Sequence, residues 1–194
     1  MEETLKQRSG NLVRVVLYGP ESTGKTTLAK DLATHYHTEW VPEYAREYLQ
    51  EKWDREKRIC EPVDILPIAR GQMKLENELS ESASRVLICD TNLLVTKVYS
   101  EVYYDGYCDP LLEKYAILNE YDIYFLTYID VPWVADDLRD KPEEREEMFE
   151  AFRNSLDRYN KPYVILKGDA DERLNTAINH INNILKAHDD HNRS

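Results

Sequence analysis

The segment GPESTGKT, from Gly19 to Thr26, contains the residue types that bind nucleotide phosphates, at the spacing that this binding requires. Gly19 and Gly24 keep the backbone between them free of obstructing side chains, so that several N–H groups can converge on one anion. Lys25 supplies a point charge for the terminal phosphates, and the Thr26 hydroxyl is a ligand for the Mg²⁺ that bridges them. The pattern predicts binding of ATP and Mg²⁺ far better than it predicts an ordinary turn before a helix. The residues predicted to surround the phosphates are Gly19, Glu21, Ser22, Thr23, Gly24, Lys25, Thr26 and Thr27.

Two acidic residues stand directly after short apolar runs. Asp90 follows the run from Leu87 to Cys89 and is predicted, with the Thr26 hydroxyl, to serve the Mg²⁺ site. Glu43 follows Val41 and Pro42, at the end of a second candidate strand. A kinase needs one carboxylate to accept the proton of the acceptor hydroxyl, and the sequence leaves open whether Glu43 or Asp90 is this base.

Each of these acidic residues also has a simpler explanation. Asp90, or Thr91 beside it, is suited to cap the N-terminus of the following helix. Glu43 and Arg46 are three residues apart, so they are suited to pair on the solvated face of a helix.

Aromatic and charged side chains near the two carboxylates are candidates for holding the acceptor. The predicted substrate-binding residues are Trp40, Glu43, Tyr44, Arg46, Asp90 and Trp133. A further aromatic group contains Tyr99, Tyr103, Tyr104 and Tyr107. Since Tyr99 and Tyr103 are one helical turn apart, this group is more typical of core packing than of ligand stacking.

A polar segment over about residues 131–158 is predicted to form a lid. A lid excludes water and brings arginine side chains to the transferred phosphoryl group. Arg139 and Arg145 are the candidates for this role, with Arg153 a weaker third, and a solvated surface loop is the alternative for each of them. The predicted catalytic residues are therefore Lys25, Glu43, Asp90, Arg139 and Arg145.

Short apolar runs separated by helical stretches must position these residues. Strands are predicted at residues 12–18, 85–89, 123–129 and 163–166, with a weaker one at 38–41. Helices are predicted at residues 26–37 and, with an acidic N-terminus at Asp171, over the apolar spacing from Leu174 to Leu185. Alternating strands and helices are typical of a parallel sheet covered on both faces. The predicted fold class is α/β: a P-loop NTPase-type parallel sheet of about five strands sandwiched between helices, with a helical lid.

Length and composition limit the kind of protein. The chain has 194 residues, 25 Lys and Arg against 37 Asp and Glu, a formal net charge of −12 and 42% hydrophobic residues. This composition excludes a disordered chain, and no apolar run approaches the ~20 residues of a membrane-spanning helix. A net acidic chain disfavours nucleic acids and anionic membranes as partners.

The same data predict a single domain over residues 1–194, with a core at 10–186 and a frayed tail at 187–194. We expect a cytoplasmic location because Met1–Gly10 has no apolar segment of the secretory type. The odd number of cysteines, without metal-type spacing, predicts reduced thiols at Cys60, Cys89 and Cys108.

P-loops occur in kinases, motors, switches and transporters, so other features must separate these classes. The chain is short for a motor or helicase, and it lacks the N-K-x-D sequence by which switch proteins read guanine. A small-molecule kinase is the class that the remaining motifs favour.

Several segments resemble the ribosylnicotinamide kinase domain of bacterial NadR-like proteins, within the wider P-loop nucleoside kinases. They cover nearly the whole chain in order: GPESTGKTTLAKDLA, VPEYAREYL, ARGQ (residues 69–72), ICDTNLLVT, WVADDLRD (133–140) and DRYNKPY (157–163). The P-loop is widely shared, whereas E-Y-x-R-E together with D-T-[DN] and W-V-x-D-x-L-R is much more specific. The lid motif departs from the family pattern, because Asp137 replaces the glycine that usually precedes the residues around Arg139.

This resemblance implies ATP-dependent phosphorylation of the ribose 5′-hydroxyl of nicotinamide riboside, which gives nicotinamide mononucleotide and ADP in NAD salvage. Bifunctional members carry an adenylyltransferase domain before this one, and some carry a DNA-binding domain. Since only Met1–Gly10 precede the first predicted strand, we expect this chain to lack both activities. The residues also fit a kinase for another nucleoside or small metabolite, or a nucleotide-dependent regulatory module. Use of GTP and assembly into a homo-oligomer stay open.

Overall fold

The computed structural model describes residues 2–133 and 142–191. The strands in these ranges are β1 (Val13–Tyr18), β2 (Trp40–Val41), β3 (Val86–Asp90), β4 (Ile123–Thr127) and β5 (Tyr163–Leu166). They form one parallel sheet in the order β2-β3-β1-β4-β5. The chain leaves β1 towards β2 on one side and leaves β3 towards β4 on the other, so the carboxyl ends of β1 and β3 border the crevice where α/β proteins bind ligands.

Helices cover both faces of this sheet. They are α1 (Lys25–Tyr36), α2 (Tyr44–Glu56), α3 (Ile65–Leu79), α4 (Leu93–Tyr103), α5 (Pro110–Leu118), α6 (Arg145–Arg158) and α7 (Ala170–His191). Helices α1 and α7 pack on one face, and α3, α4, α5 and α6 contribute to the larger core on the other. The predicted fold class is confirmed.

Strand β1 is buried along its whole length because both of its faces are covered. Val13, Val15 and Leu17 point into the core under α1 and α7. Val16 and Tyr18 point into the core on the opposite face. Full burial of each such aliphatic side chain contributes about 1.5–3 kcal/mol relative to exposure. The P-loop therefore begins from a central strand that is buried at every residue.

Several parts of the chain differ from the predictions. Strand β2 has two residues rather than four and stops at Pro42, which has no N–H to continue the ladder. Helix α7 continues to His191, so residues 187–191 are helical rather than frayed, and Asp189 on this last stretch pairs with Arg85 at 2.6 Å. The polar N-terminal segment contains a 3₁₀ turn whose Leu5 is completely buried.

Helix α6 forms the second half of the predicted lid, with Met148, Phe149, Phe152 and Leu156 buried. The predicted lid residue Arg139 lies outside the described residues.

Two smaller expectations can be compared with the structure. None of the described helices has the length and apolar character needed to cross a membrane. Cys60, Cys89 and Cys108 are free thiols.

Candidate active site

The P-loop, residues 19–26, joins β1 to α1 through three positive-φ residues. Gly19 has φ +130°, Ser22 has φ +55°, and Gly24 has φ +83° and caps α1. A side chain at Gly19 would also bring its Cβ within 2.9 Å of the Thr127 hydroxyl, so this position requires glycine for space as well as for conformation. The two glycines of the motif are therefore needed to bring the loop over the end of the sheet.

Hydrogen bonds inside the loop hold its curvature. The hydroxyl of Thr23 donates to the carbonyl of Pro20 at 2.8 Å and lies 2.6 Å from the hydroxyl of Thr127 at the end of β4. The Lys25 ammonium also donates to Pro20 O, at 2.6 Å, and its side chain is buried within the loop. The predicted phosphate-binding residues are thus brought together, with the Lys25 charge inside their curve.

Asp90, the last residue of β3, faces the first turn of α1. Its Oδ2 accepts a hydrogen bond of 2.5 Å from the Thr26 hydroxyl, while within the described chain its buried Oδ1 has no hydrogen-bond partner. Burial raises the pKa of the Asp90 carboxyl from 3.8 to about 6, and the charge of Glu43 adds to the rise, whereas Lys25 opposes it.

This pair fits a divalent cation. A hydroxyl and a buried carboxylate with an unused oxygen are hard oxygen ligands of the kind that Mg²⁺ takes in P-loop proteins, where waters and phosphates complete the coordination. In the described ranges, no cluster of three His, Cys, Asp or Glu side chains offers another metal site.

The N-cap of the helix that follows β3 is Asn92 and not Asp90. Helix α4 is capped by Asn92, whose side-chain oxygen accepts from the N–H groups of Leu94 at 3.1 Å and Val95 at 3.2 Å. Because the cap is already supplied, helix capping does not account for Asp90 at this position.

Arg173, in the first turn of α7, is a site residue that sequence reasoning missed. The residue is 4% exposed, and its guanidinium donates to Thr23 O at 2.7 Å, to Gly168 O at 3.0 Å and to Tyr128 O at 3.0 Å. The guanidinium also pairs with the Asp130 carboxylate. It therefore ties the P-loop to the ends of β4 and β5. No local motif could have revealed this, since Thr23 and Arg173 are 150 positions apart.

The other wall of the cleft comes from the segment after β2. Glu43 stands at the N-terminus of α2 and is close enough to Asp90 to affect its pKa. Tyr44 packs its ring against Gly71 of α3, while Arg46 is exposed. Trp40 is not brought to this wall: it packs on the α1 face of the sheet, and the Lys30 ammonium lies 5.4 Å from its ring centroid.

The described end of the lid reaches the P-loop through Arg145. Its guanidinium donates to Val131 O at 3.0 Å and to Ser22 O at 3.4 Å, and it lies 5.7 Å from the ring centroid of Trp133. Arg153, the weaker candidate, instead pairs with Glu150 at 2.5 Å on the partly exposed side of α6.

A narrow cleft under the lid is lined by aromatic and acidic side chains. Tyr99, Tyr103 and Trp133 line it together with Glu21 of the P-loop and with Arg145. Tyr99 also packs edge-on against Phe152 at 5.3 Å between ring centroids. Tyr99 thus combines the core packing that its helical spacing predicts with a place beside the P-loop.

A P-loop after the central strand, an acidic residue at the end of the neighbouring strand and a helical segment across the cleft define a P-loop kinase fold. A thymidylate kinase from Candida albicans shares this fold with a TM-score of 0.66, over 93% of this chain and 95% of that chain, at 15% identity. The sequence model of the AAA domain family matches residues 14–173, and the chain belongs to that family.

More similar relatives confirm the resemblance to NadR. The trifunctional NAD biosynthesis/regulator protein NadR of Salmonella typhimurium is 31% identical over 127 residues, which cover 64% of this chain and 30% of that protein. A NadR protein solved in complex with NR has a TM-score of 0.72 at 26% identity, over 88% of this chain and 51% of that chain. A NadR structure with NAD and AMP-PNP has a TM-score of 0.73 at 26% identity, over 88% of this chain and 49% of that chain. The chain thus matches about half of the solved NadR chains and a smaller share of the curated relative.

Proposed function

We propose that this chain is an ATP-dependent kinase that phosphorylates the ribose 5′-hydroxyl of nicotinamide riboside, giving nicotinamide mononucleotide and ADP. The observation that carries the proposal is the pair of Thr26 and Asp90 at the mouth of the P-loop, with Glu43 on the facing wall. This arrangement offers a cation site and a second carboxylate beside it. Phosphoryl transfer to a hydroxyl requires both: the cation neutralises phosphate charge, and the carboxylate accepts the proton. The likeness to NadR solved with NR supports this choice of acceptor.

The reaction that we propose is an in-line transfer. The acceptor oxygen forms a bond to the γ-phosphorus of ATP, the bond from that phosphorus to the bridging oxygen of ADP breaks, and the acceptor proton passes to a carboxylate. Backbone N–H groups of residues 19–24 and the Lys25 ammonium hold the phosphates. Thr26 and Asp90 would hold Mg²⁺, which neutralises phosphate charge when it is bound.

We assign the proton-accepting role to Glu43. Asp90 already accepts a hydrogen bond from the Thr26 hydroxyl, and its other carboxylate oxygen is the better candidate for the cation. A carboxylate committed to a cation is a weaker proton acceptor, whereas Glu43 stands on the opposite wall and is free of that role. Arg145, and Arg139 in the undescribed part of the lid, are proposed to meet the negative charge of the transferred group.

The cleft under the lid supports a cationic acceptor. Nicotinamide carries a formal positive charge in its riboside, and Tyr99 and Tyr103 offer aromatic faces to such a ring, whereas the Trp133 ring already lies 5.7 Å from the Arg145 guanidinium. The carboxylates of Glu21 and Glu43 add favourable negative charge near the same cleft. A neutral nucleoside would gain less from these groups.

The proposal is tested by ADP release from Mg²⁺-ATP with nicotinamide riboside in parallel with uridine, cytidine, adenosine and thymidine. We expect the riboside alone to stimulate release, by about 10-fold or more over the basal rate, and mass spectrometry to detect its monophosphate. A flat response to the riboside would refute the proposed acceptor. Stimulation by another nucleoside would then indicate a different kinase, and no stimulation by any nucleoside would favour a regulatory ATP-binding module.

A further inference from the structure

Gln72, on α3, is a buried polar residue that the proposed mechanism does not use. Its side chain is 2% exposed, and both ends of its amide are bonded to the segment after β2. The Tyr44 N–H donates to Gln72 Oε1 at 2.9 Å, and Gln72 Nε2 donates to Pro42 O at 3.2 Å. These two backbone groups belong to the residues before and after Glu43. One side-chain amide therefore holds the backbone on both sides of the residue assigned as the base.

The neighbouring residue of α3 holds the same segment by packing. A Cβ added to Gly71 would lie 2.0 Å from Cε1 of the Tyr44 ring, so only glycine lets this ring rest against the helix. Gly71 and Gln72 together contact the ring of Tyr44 and the backbone of residues 42–44. We call this pair the α3 clamp.

The regular hydrogen bonds of β2 and α2 do not fix the backbone of residues 42–44. Strand β2 ends at Val41, and Tyr44 is the first residue of α2, whose N–H has no partner within its own helix. Glu43 is in the extended conformation, with φ −69° and ψ 102°, and in the described structure its side chain does not cap the helix. The hydrogen bonds that orient the backbone around Glu43 therefore come from Gln72.

We propose that Gln72 is a positioning residue for phosphoryl transfer: with Gly71, it holds residues 42–44 so that the Glu43 carboxylate faces the acceptor. This inference rests on the proposed function, because it needs Glu43 to act in the reaction. The role requires one donor and one acceptor on the same side chain, since Tyr44 presents an N–H and Pro42 presents a carbonyl. A carboxylate offers only acceptors, whereas a protonated carboxyl again offers both.

The test compares Gln72→Glu with wild type across pH. At pH 8 the substitution introduces an ionised carboxylate, which has no hydrogen to donate to Pro42 O. We therefore expect kcat to fall about 10- to 100-fold, while the KM for ATP stays nearly unchanged. Because position 72 is buried, the pKa of the introduced carboxyl should be raised, and protonation as the pH is lowered restores both bonds; the ratio of mutant to wild-type kcat should therefore rise towards low pH. The ratio is the proper measure because it removes any pH dependence that the two proteins share.

Two further variants separate positioning from a general effect on the fold. Gln72→Leu removes donor and acceptor together, so its kcat should be low at every pH. Gln50→Glu makes the same chemical change on α2, where Gln50 bonds to the side chain of Asp54, and its ratio to wild type should stay flat with pH. A flat ratio for Gln72→Glu, or wild-type kcat in Gln72→Leu, would overturn the proposal.

Amide hydrogen exchange tests the clamp without any acceptor. The Tyr44 N–H should exchange at least about 10-fold faster in Gln72→Leu than in wild type, while amides of β1 keep their protection. Unchanged protection at Tyr44 would overturn the clamp, even in a protein that phosphorylates nucleosides. If the leucine variant fails to fold, Gly71→Ala keeps Gln72 intact while its Cβ clashes with the Tyr44 ring and pushes residues 42–44 away from α3, which should lower kcat. Failure of wild type to phosphorylate any nucleoside would refute the proposed function, but the exchange result would still decide whether Gln72 holds the segment.

Discussion

The two walls of the cleft are held in place by different means. The phosphate side, which we define as residues 19–26 with Asp90 and Arg173, is fixed by hydrogen bonds to backbone carbonyls of the P-loop itself and of the residues that follow β4 and β5. The acceptor side, which we define as residues 42–46 with Trp133, is half-buried to exposed and depends on a few side chains from α3 and the lid. In the proposed function, the more firmly held side binds ATP, which is common to many kinases, and the more exposed side binds the acceptor, which differs between kinases.

The difference implies distinct consequences of substitution. Changes on the phosphate side should alter ATP use or the stability of the whole fold, because that side is continuous with the central strands. Changes on the acceptor side should alter the KM for the nucleoside or, at Glu43, kcat, and leave ATP binding intact. The following substitutions test this division, beginning with the largest expected effect.

Lys25→Met removes the only charge buried inside the curve of the P-loop among the described residues. We expect kcat to fall about 10³-fold or more, equivalent to about 4 kcal/mol in the barrier, because the ammonium meets charge on the transferred phosphoryl group. Single-turnover transfer from radiolabelled ATP measures this loss. Lys74→Met, an exposed lysine on α3 that lies 3.9 Å from Glu78, should retain the wild-type rate. Normal transfer by the Lys25 variant would contradict the phosphate-side assignment.

Arg145→Gln removes the lid cation that lies against Ser22 of the P-loop. If Arg145 meets the developing charge, the barrier should rise by about 2–4 kcal/mol, while the affinity for ATP changes much less. Single-turnover rates at saturating ATP and nucleotide binding by fluorescence separate these two quantities. Arg153→Gln is the matched control on the same helix, since that arginine pairs with Glu150 near the surface. Equal rates in the two variants would assign Arg145 a purely structural role.

Arg173→Gln should lower the stability of the fold as well as the rate of transfer. The carbonyls of Thr23 and Gly168 and the Asp130 carboxylate would lose a buried charged donor, which we expect to lower the free energy of unfolding by about 3 kcal/mol. Urea denaturation measures the loss. Arg85→Gln, which breaks an exposed ion pair to the same helix, should cost less than about 1 kcal/mol. A similar cost for both would show that the phosphate side is not anchored through Arg173.

Asp90→Asn should abolish transfer and yet stabilise the protein in the absence of divalent cations. The folded-state pKa of about 6 lies above the ordinary value of 3.8, so between these pH values the folded chain holds a proton that the unfolded chain releases. Wild type therefore loses stability as the pH rises from about 4 to 6, by up to roughly 3 kcal/mol, and the loss persists at higher pH.

Asparagine does not ionise, and its amide still accepts from Thr26, so we expect a gain of about 2 kcal/mol at pH 8 that shrinks towards pH 4. Urea midpoints at both pH values, measured in EDTA, provide the comparison. A variant less stable than wild type at pH 8 would contradict the cost assigned to burying this carboxylate.

Tyr44→Leu should have the smallest effect and should confine it to the acceptor. Loss of the aromatic ring beside Glu43 is expected to raise the KM for the nucleoside about 5- to 10-fold, roughly 1 kcal/mol, with the KM for ATP unchanged. Steady-state kinetics with each substrate varied in turn provide the measurement. Tyr107→Leu, a change of the same kind at a residue 51% exposed, should alter neither constant. A raised KM for ATP in the Tyr44 variant would show that the two sides are not independent.

Much of the site follows from local sequence because its parts are short and contiguous. The P-loop pattern from Gly19 to Thr26 carries its own turn chemistry, and Asp90 and Glu43 stand immediately after apolar runs. Parallel strands deliver their carboxyl ends to one edge of a sheet, so a strand prediction already brings such residues near one another. Trp40 shows the limit of this argument: successive strand residues face opposite sides, and it lies on the α1 face, away from Tyr44.

The sequence by itself determined the α/β class, the phosphate-binding loop and the two candidate carboxylates, since each depends on residue type and near-neighbour spacing. Only the tertiary structure decided that Asn92 caps α4 and leaves Asp90 for Thr26, that Arg173 anchors the P-loop, and that Gln72 holds both sides of Glu43. Those contacts join residues from separate elements, and their strength comes from burial and hydrogen-bond geometry. Neither property exists until the helices have packed on the sheet, because in the extended chain the same polar groups are hydrogen-bonded to water.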